Sequence, residues 1–162
     1  MANQILSLLE QKAAALPEVP FPISLDWFNG RRSPNSDDTQ TGGMQGLTLG
    51  TTAPHIYRSL VFAAVCGLKR IVAGFVSAGV EIDEVIAVGG ISKKSNFVMQ
   101  MMADVLNKTI AIVDSDQTCA LGAALYASVA CGIYANIETA SPPHGREEDQ
   151  AVSSRCSKGC FL

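Results

Sequence analysis

The stretch "DEVIAVGGISKKSNFVMQMMADVLNK", from Asp83 to Lys108, decides how the rest of the chain can fold. It contains a short apolar run, the adjacent glycines Gly89 and Gly90, a polar and basic cluster, and a long segment with apolar residues at helical spacing. This order predicts a buried strand, a tight turn and an amphipathic helix. The pattern leaves open whether the turn also binds a ligand.

The strand covers residues 84–88, the helix covers residues 96–107, and "TIAIVD" at 109–114 predicts a second buried strand. The apolar side chains expected on the inner face of that helix are Phe97, Val98, Met101, Met102, Val105 and Leu106. A third helix should follow Ser115 or Asp116 as its cap and end near Cys131. Small residues on one of its sides, which would let it lie close to a sheet or a helix, are Ala120, Ala123, Ala124 and Ala127.

A long helix is predicted upstream, over residues 54–78. Thr51 or Thr52 can cap its start, Pro54 suits its first turn, and Gly79 is a natural stop. Its expected inner face consists of Ile56, Leu60, Ala63, Ala64, Gly67, Ile71 and Phe75.

The two ends of the chain complete four predicted segments. Residues 1–22 form a helix over 3–15, with Asn3 as its cap, and a proline-rich connector. Residues 23–53 are rich in Gly, Asn, Asp and Ser and predict a long loop with a short strand over 23–28. Residues 54–140 carry the alternating helices and strands. Residues 141–162 lose apolar periodicity and predict a disordered tail.

The element order helix–strand–helix–strand–helix predicts an α/β fold with parallel strands and right-handed crossovers. With 162 residues, 48% of them apolar, the chain is long enough for one domain. The net charge of −3 and the short basic groups argue against nucleic acid as a partner. We find no targeting segment and no apolar run of membrane-spanning length, so we expect a cytoplasmic chain without a membrane partner.

Five cysteines occur at irregular spacing, without a C-x-x-C pair. Three of them fall in apolar helical patterns and are expected to be small buried side chains: Cys66, Cys119 and Cys131. Cys156, Cys160 and His144 have neither the number nor the spacing of zinc ligands, so we expect no metal site.

The glycine pair in "VGGISKKS" matches neither the P-loop pattern nor G-x-G-x-x-G. One interpretation is a plain turn that needs glycine for its backbone angles. The other is a surface without side chains on which adenine and its ribose lie, beside the polar residues that start the next helix. The position favours the second, because ligands of open parallel sheets bind at the carboxyl ends of strands.

The segment "VGGISKKSNFVMQMMADVLNKTIAIVDSDQTCALGAALYASVACG" resembles the adenosine-binding end of the FGGY carbohydrate kinases, which belong to the actin-like ATPase superfamily. "LDWFNGRRSPN" and "SDQTCALGAA" resemble the L-ribulokinase branch. The resemblance implies a partial actin-like (ribonuclease H-like) C-terminal domain with an incomplete sheet. It also implies arabinose catabolism, with ATP and Mg²⁺ as cofactors of the intact kinase, ATP or ADP as ligand, and an L-ribulose-like sugar as substrate.

By the same resemblance, the nucleotide contacts fall on Gly89 and Gly90, and the amide that faces adenine falls at Ser95 or Asn96, with Lys94 beside them. The intact kinases are about three times longer. The domain with the catalytic base and most sugar contacts, and the loop that holds the β- and γ-phosphates, have no counterpart here. We therefore assign no catalytic residue, since the loop residues Asp26 and Asp37 match no catalytic motif, and we expect the chain alone to be inactive.

Other polar features have two readings. Arg31 and Arg32 could contact substrate or nucleotide phosphate across a cleft, or form a solvated pair in the loop. Trp27 is expected to anchor that loop rather than stack on a sugar. His55 is expected at the surface or as a helix cap.

Three functional hypotheses follow. The first is the nucleotide-side part of an ATP-dependent sugar kinase, whose sugar partner would bind only with the absent domain. The second is a non-catalytic interaction module, because a strand that lacks its usual neighbour has an exposed edge that can self-associate. The third is a non-functional product of a truncated gene.

Overall fold

The structure, a computed structural model, describes residues 2–17, 20–113, 117–140 and 150–155. Six helices and five short strands occur in these residues, and they alternate along the central part of the chain. In chain order they are α1 (Ala2–Ala14), β1 (Ile23–Leu25), β2 (Gly43–Gln45), α2 (Ala53–Ser77), β3 (Val85–Ala87), α3 (Gly90–Lys94), α4 (Asn96–Leu106), β4 (Ile110–Ile112), α5 (Thr118–Ala130), α6 (Ile137–Ala140) and β5 (Gln150–Val152).

Helix α2 begins and ends where its local sequence predicts. Thr52 is the residue before its first turn, and its backbone N–H donates to His55 Nδ1 at 3.3 Å, so His55 is a capping residue as expected. At the other end Gly79 has φ +84°, and Val80 N–H donates to the Phe75 carbonyl at 3.0 Å. This is the Schellman ending, which glycine favours because it has no Cβ.

Helix α4 is bounded in the same way. The Ser95 hydroxyl accepts a hydrogen bond from Val98 N–H at 3.1 Å, and Asn107 ends the helix with φ +51°. These are common solutions for the unpaired N–H and C=O groups at helix ends. The predicted bounds of α4 are therefore confirmed to within one residue.

The main sheet has the order β3–β4–β5. Strands β3 and β4 are parallel, with Ile86 opposite Ala111, and α3 and α4 form the connection between them. This confirms the predicted parallel pair and the α/β class. The prediction of no regular structure after residue 140 is wrong for residues 150–152. They form β5, which pairs antiparallel with β4 because its backbone groups complete that strand's hydrogen bonds.

A second, two-stranded sheet lies on α2. Strand β1 is antiparallel to β2, with Ser24 opposite Met44, and the buried hydroxyls of Ser24 and Ser59 are 2.6 Å apart. The sequence predicted a strand at β1 but not at β2, whose Gly-Met-Gln has no apolar alternation. Residues 26–42 of the predicted loop therefore connect two paired antiparallel strands.

The core lies where α4 packs against α2 and β4. Its most deeply buried apolar side chains are Val65, Met99, Ala103, Val105, Ile110 and Ile112. The predicted inner face of α4 is confirmed at Val105 but is wrong for its first turns: Met99 and Ala103 are buried, whereas Phe97 and Met101 are only partly covered and line a groove. Periodicity sets the spacing of apolar residues on a helix, but the neighbouring elements decide which row of them is covered.

Helices α2 and α5 are more exposed than their patterns predict. In α2 the buried residues are Ser59, Ala63 and Val65, while Phe75, expected on the inner face, is 54% exposed. No residue of α5, which the structure describes in full, is buried, and its small-residue side faces outward. Cys119 and Cys131 are therefore exposed rather than buried. The predicted caps at 115 and 116 lie outside the described residues.

The expectation that no apolar segment is long enough to cross a membrane is wrong when length and composition alone are considered. Helix α2 has 25 residues and is apolar enough to pass a test of length and composition. The same test is passed by core helices of soluble proteins. Arg58 on one turn and the pair Lys69 and Arg70 further along interrupt its apolar surface.

Candidate functional site

A groove of about 910 Å³ runs between α1, α2 and the start of α4, with Arg155 also in its lining. Of the residues that the sequence analysis singled out, Gly90, Lys94, Ser95 and Asn96 are in its wall. The other main lining residues are Leu6, Glu10, Ala13, Phe21, Tyr57, Arg58, Phe62, Ile91, Phe97, Gln100, Met101, Asp104 and Arg155. One groove thus collects four of the five predicted nucleotide residues, and the fifth, Gly89, directly precedes it.

The glycine pair lies just beyond the carboxyl end of β3. Gly89 has φ +100°, a backbone conformation that L side chains rarely adopt, and its carbonyl accepts a hydrogen bond from the Ser92 hydroxyl at 2.6 Å. Gly90 has an ordinary backbone, and a Cβ built on either glycine meets no atom within 4 Å. The backbone conformation of the turn therefore requires glycine at position 89. At position 90 the absence of a side chain leaves open space beside the backbone.

Ser95 has its hydrogen bonds inside the protein. It is 5% exposed, it caps α4, and its hydroxyl donates to Glu10 Oε1 at 3.0 Å. That contact joins α1 to the entry of α4 across 85 positions of sequence. Asn96, the next residue, is exposed and faces the same groove. Of the two alternatives for an adenine-facing amide, Asn96 is the one that has an amide.

Aromatic rings form one wall of the groove. Tyr57 and Phe97 stack with centroids 6.2 Å apart and planes inclined by 30°, and Phe21 meets Phe62 edge to face at 5.6 Å. Partial burial, and then the negative charge of Glu10, raise the pKa of Tyr57 above its ordinary value. Tyr57 is therefore a neutral hydroxyl at physiological pH, which suits a flat, uncharged ligand surface.

Cationic groups stand around this apolar wall. The Arg58 guanidinium lies 4.9 Å from the centre of the Phe21 ring and donates to the Pro17 carbonyl at 3.2 Å, so it stabilises the connector after α1. Lys94 and Arg155 reach the groove from α3 and from the residues after β5. Glu10 and Asp104 are the acidic groups in the lining.

Arg31 and Arg32 lie elsewhere. Both are in the described part of the chain, and neither lines the groove. The Arg31 guanidinium is 5.5 Å from the centre of the Trp27 ring, its Nε donates to the Asn35 carbonyl at 2.8 Å, and its backbone pairs with Asp37. Arg31 therefore organises its own loop, with Trp27 as a partner inside it.

Asp37 is also a structural residue of this loop. Its carboxylate accepts from the Thr39 hydroxyl at 2.6 Å, from Gln40 at 2.9 Å and from the Thr39 backbone N–H at 3.0 Å. These hydrogen bonds, the Thr39 hydroxyl first, lower the pKa of Asp37. A carboxylate held in this way shapes a turn rather than accepting a proton in catalysis.

Sequence reasoning missed Glu10, Tyr57, Arg58 and Arg155 as groove residues. None of them belongs to a recognisable motif, and each reaches the groove from an element distant in sequence. In the part of the chain that the structure describes, no cluster of His, Cys, Asp and Glu could hold a metal ion. His144, Cys156 and Cys160 are outside that part.

Residues 2–131 match the profile of the FGGY family of carbohydrate kinases, C-terminal domain. The chain is 42% identical over 141 residues to a ribulokinase of Vibrio parahaemolyticus, covering 86% of this chain and 25% of that protein. It is 47% identical over 127 residues to a ribulokinase of Shouchella clausii, covering 78% of this chain and 23% of that protein. The chain thus spans about a quarter of the length of these curated relatives.

Solved structures agree on the fold. A xyloylose kinase from Brucella ovis superposes with a TM-score of 0.74 at 22% identity, over 91% of this chain and 31% of that chain. A Plasmodium falciparum glycerol kinase with ADP gives 0.72 at 23% identity, over 92% and 29% of the two chains. The likeness shows that the chain has part of the actin-like fold of these kinases.

Proposed function

The chain belongs to the FGGY family of carbohydrate kinases, as part of the C-terminal domain, and we propose that it supplies the adenosine-binding side of an ATP-dependent kinase similar to ribulokinase. In the complete enzyme, the γ-phosphoryl group of ATP would pass to the terminal hydroxyl of an L-ribulose-like ketose. The observation that carries the proposal is Gly89-Gly90 at the end of β3, opening onto a groove with aromatic and amide side chains.

The roles of the groove residues follow from their chemistry. Gly90 leaves the backbone bare, so that a ribose or a base can lie against it. The Asn96 amide can both donate to and accept from the edge of adenine. Ser95 acts indirectly, because its hydroxyl is held by Glu10 and by the first turn of α4. Lys94 supplies positive charge at the groove wall, where it can attract the nucleotide.

Catalysis requires more than this chain contains. Phosphoryl transfer depends on positioned charge around the γ-phosphate, on bound Mg²⁺ and on a group that orients or deprotonates the attacking hydroxyl. We propose that these come from the rest of the kinase fold and that the complete enzyme uses Mg²⁺ in the cytoplasm. A coupled assay with ATP, Mg²⁺ and L-ribulose should detect no turnover by the isolated chain. Clear turnover would contradict the proposed division of the enzyme.

Nucleotide binding is tested most directly by saturation-transfer NMR with ADP. Since only the base end is held, we expect a Kd of about 1 mM, with the strongest signals on the adenine protons. Asn96→Ala should weaken the adenine signals severalfold, while the matched control Asn29→Ala, an exposed loop asparagine, should leave them unchanged. Equal signals in both variants would reject Asn96 as the adenine contact.

One observation favours a protein-interaction role as a second candidate. The outer edge of β3 has no strand beside it among the described residues, and Ile86 is 55% exposed there. On α5, Leu121 is 53% and Tyr126 69% exposed. Apolar surface of this kind marks contacts with other polypeptide. Copurification with the N-terminal portion of a ribulokinase, with turnover restored, would favour the kinase role; binding without turnover would favour the interaction module.

A further inference from the structure

Strand β5 lies beyond the segment that matches the kinase family, which ends at residue 131. It nevertheless completes the sheet: Ile110 pairs with Val152, Ala111 with Ala151 and Ile112 with Gln150. The family profile includes β3 and β4 but not the strand that covers the outer edge of β4.

Two side chains of α4 form hydrogen bonds with the backbone of the residues that follow β5. Gln100 Nε2 donates to the Ser153 carbonyl at 3.0 Å, and the Asp104 carboxylate accepts from Arg155 N–H at 2.7 Å. Gln100 Nε2 also donates to Asp104 Oδ1 at 3.0 Å, so the two side chains are fixed relative to each other. A bond from a backbone N–H to a carboxylate is among the stronger hydrogen bonds in proteins.

The combination has the form of a peptide-binding site. A strand edge provides a row of backbone groups, and side chains beside it recognise the backbone of whatever pairs there. Without an occupant, that edge of β4 would carry unpaired N–H and C=O groups and could pair with another chain. Residues 150–155 leave no such row exposed on β4.

We propose that the β4 edge, with Gln100 and Asp104, is a binding site for an extended peptide, and that residues 150–155 of this chain are its ligand. The segment closes the edge and so prevents the chain from self-associating through β4. When it is released, the open edge of β4 pairs with the β4 edge of a second copy.

The tether favours the intramolecular state. Residues 141–149 separate α6 from β5, so the segment is linked to its site by a short stretch of chain. A short tether gives an effective concentration in the millimolar range, which a free peptide must match to compete. We therefore expect the wild-type chain to be closed and monomeric at micromolar concentration.

The test uses the full-length chain with the double substitution Gln150→Pro and Val152→Pro, which removes the two β5 backbone donors that face β4, because these residues lie opposite Ile112 and Ile110. Hydrogen exchange at Ile110 and Ile112 should become at least about tenfold faster, as expected for local opening. Exchange at Ala111 should change little, because its N–H lies on the side of β3, as that of Val113 does. Light scattering should show a shift from monomer to dimer as concentration rises. A blocked peptide with the sequence QAVSSR, added at millimolar concentration, should restore the protection; a scrambled peptide should not.

Asp104→Ala separates the side-chain anchor from the strand pairing. It should accelerate exchange at the same β4 amides, whereas the matched control Asp83→Ala, an exposed aspartate before β3, should not. Unchanged exchange in both the proline and the Asp104 variants would overturn the proposal. So would faster exchange spread evenly over α2 and α4, because that pattern reports global unfolding rather than an opened edge.

Discussion

Helices α4 and α5 are both apolar and of similar length, 11 and 13 residues, yet they have opposite environments. In α4, Met99 and Ala103 are essentially inaccessible because α2 lies on one side and the sheet on the other. In α5, Leu121 and Tyr126 are more than half exposed, and the short α6 is the main element against it. The contrast teaches that composition does not bury a helix; its neighbours do.

The family relation explains why the difference falls between these two helices. The chain spans about a quarter of the length of its curated relatives. It covers 31% of the Brucella ovis kinase, so most of that structure has no counterpart in this chain. The elements that pack within this segment bury α4. We infer that the apolar surface of α5, like the edge of β3 that no described strand covers, is a surface for the rest of the kinase fold.

The largest expected effect tests this contrast in stability. Met99→Ala removes a fully buried side chain and should lower the free energy of unfolding by about 2–4 kcal/mol, because it leaves a cavity. Leu121→Ala on α5 should change it by less than about 0.5 kcal/mol, since that side chain is already hydrated. Urea denaturation followed by circular dichroism measures both. Similar losses for the two variants would mean that α5 is packed in solution.

A smaller effect should appear in thiol chemistry. Cys119 on α5 is exposed, whereas Cys66 on α2 is half-buried, and burial raises the pKa of the Cys66 thiol. Because the thiolate is the reactive form, iodoacetamide should modify Cys119 about tenfold faster than Cys66 near pH 8. The rate at Cys66 should keep rising above pH 9. Peptide mapping by mass spectrometry distinguishes the two sites, and equal rates would contradict the difference in burial.

The smallest effect concerns the start of α4. Ser95→Ala removes both the cap of α4 and the hydroxyl that donates a hydrogen bond to Glu10. It should lower the free energy of unfolding by about 1 kcal/mol. Ser95→Asp keeps an acceptor for the Val98 N–H but places a second carboxylate beside Glu10. Ser95→Asp restores the cap but places two carboxylates side by side, so it should be only slightly more stable than Ser95→Ala. Adding Glu10→Gln removes the repulsion and should raise the stability of Ser95→Asp further. Thermal unfolding of these three variants and of the unsubstituted chain separates the two contributions.

Local chemistry made some parts of the fold predictable. The ends of α2 and α4 depend on Thr52, Gly79, Ser95 and Asn107, whose preferences for caps and left-handed backbone act over a few residues. The parallel pairing of β3 and β4 follows from a short strand, a crossover helix and another short strand. Strand β2 was missed because three residues without alternation carry no strand signal.

The candidate site was predictable only in part, because only some of its residues are close together in the sequence. Gly90, Lys94, Ser95 and Asn96 lie in one motif, and their shared groove was expected. Arg31 was a candidate by its chemistry, but the contacts it makes are with Trp27 and Asn35 inside its loop. The nucleotide assignments remain predictions, which the ADP titration of Asn96→Ala tests.

By itself, the sequence determined the kinase family, the α/β class and the bounds of the capped helices, since these depend on residues close together in the chain. Only the tertiary structure decided which face of α4 is buried and that Glu10 holds Ser95. It also decided that residues beyond the family match close the edge of β4. The contacts of Glu10 with Ser95 and of β5 with β4 join residues 38 to 85 positions apart. No local preference specifies which distant backbone or side chain makes such a contact.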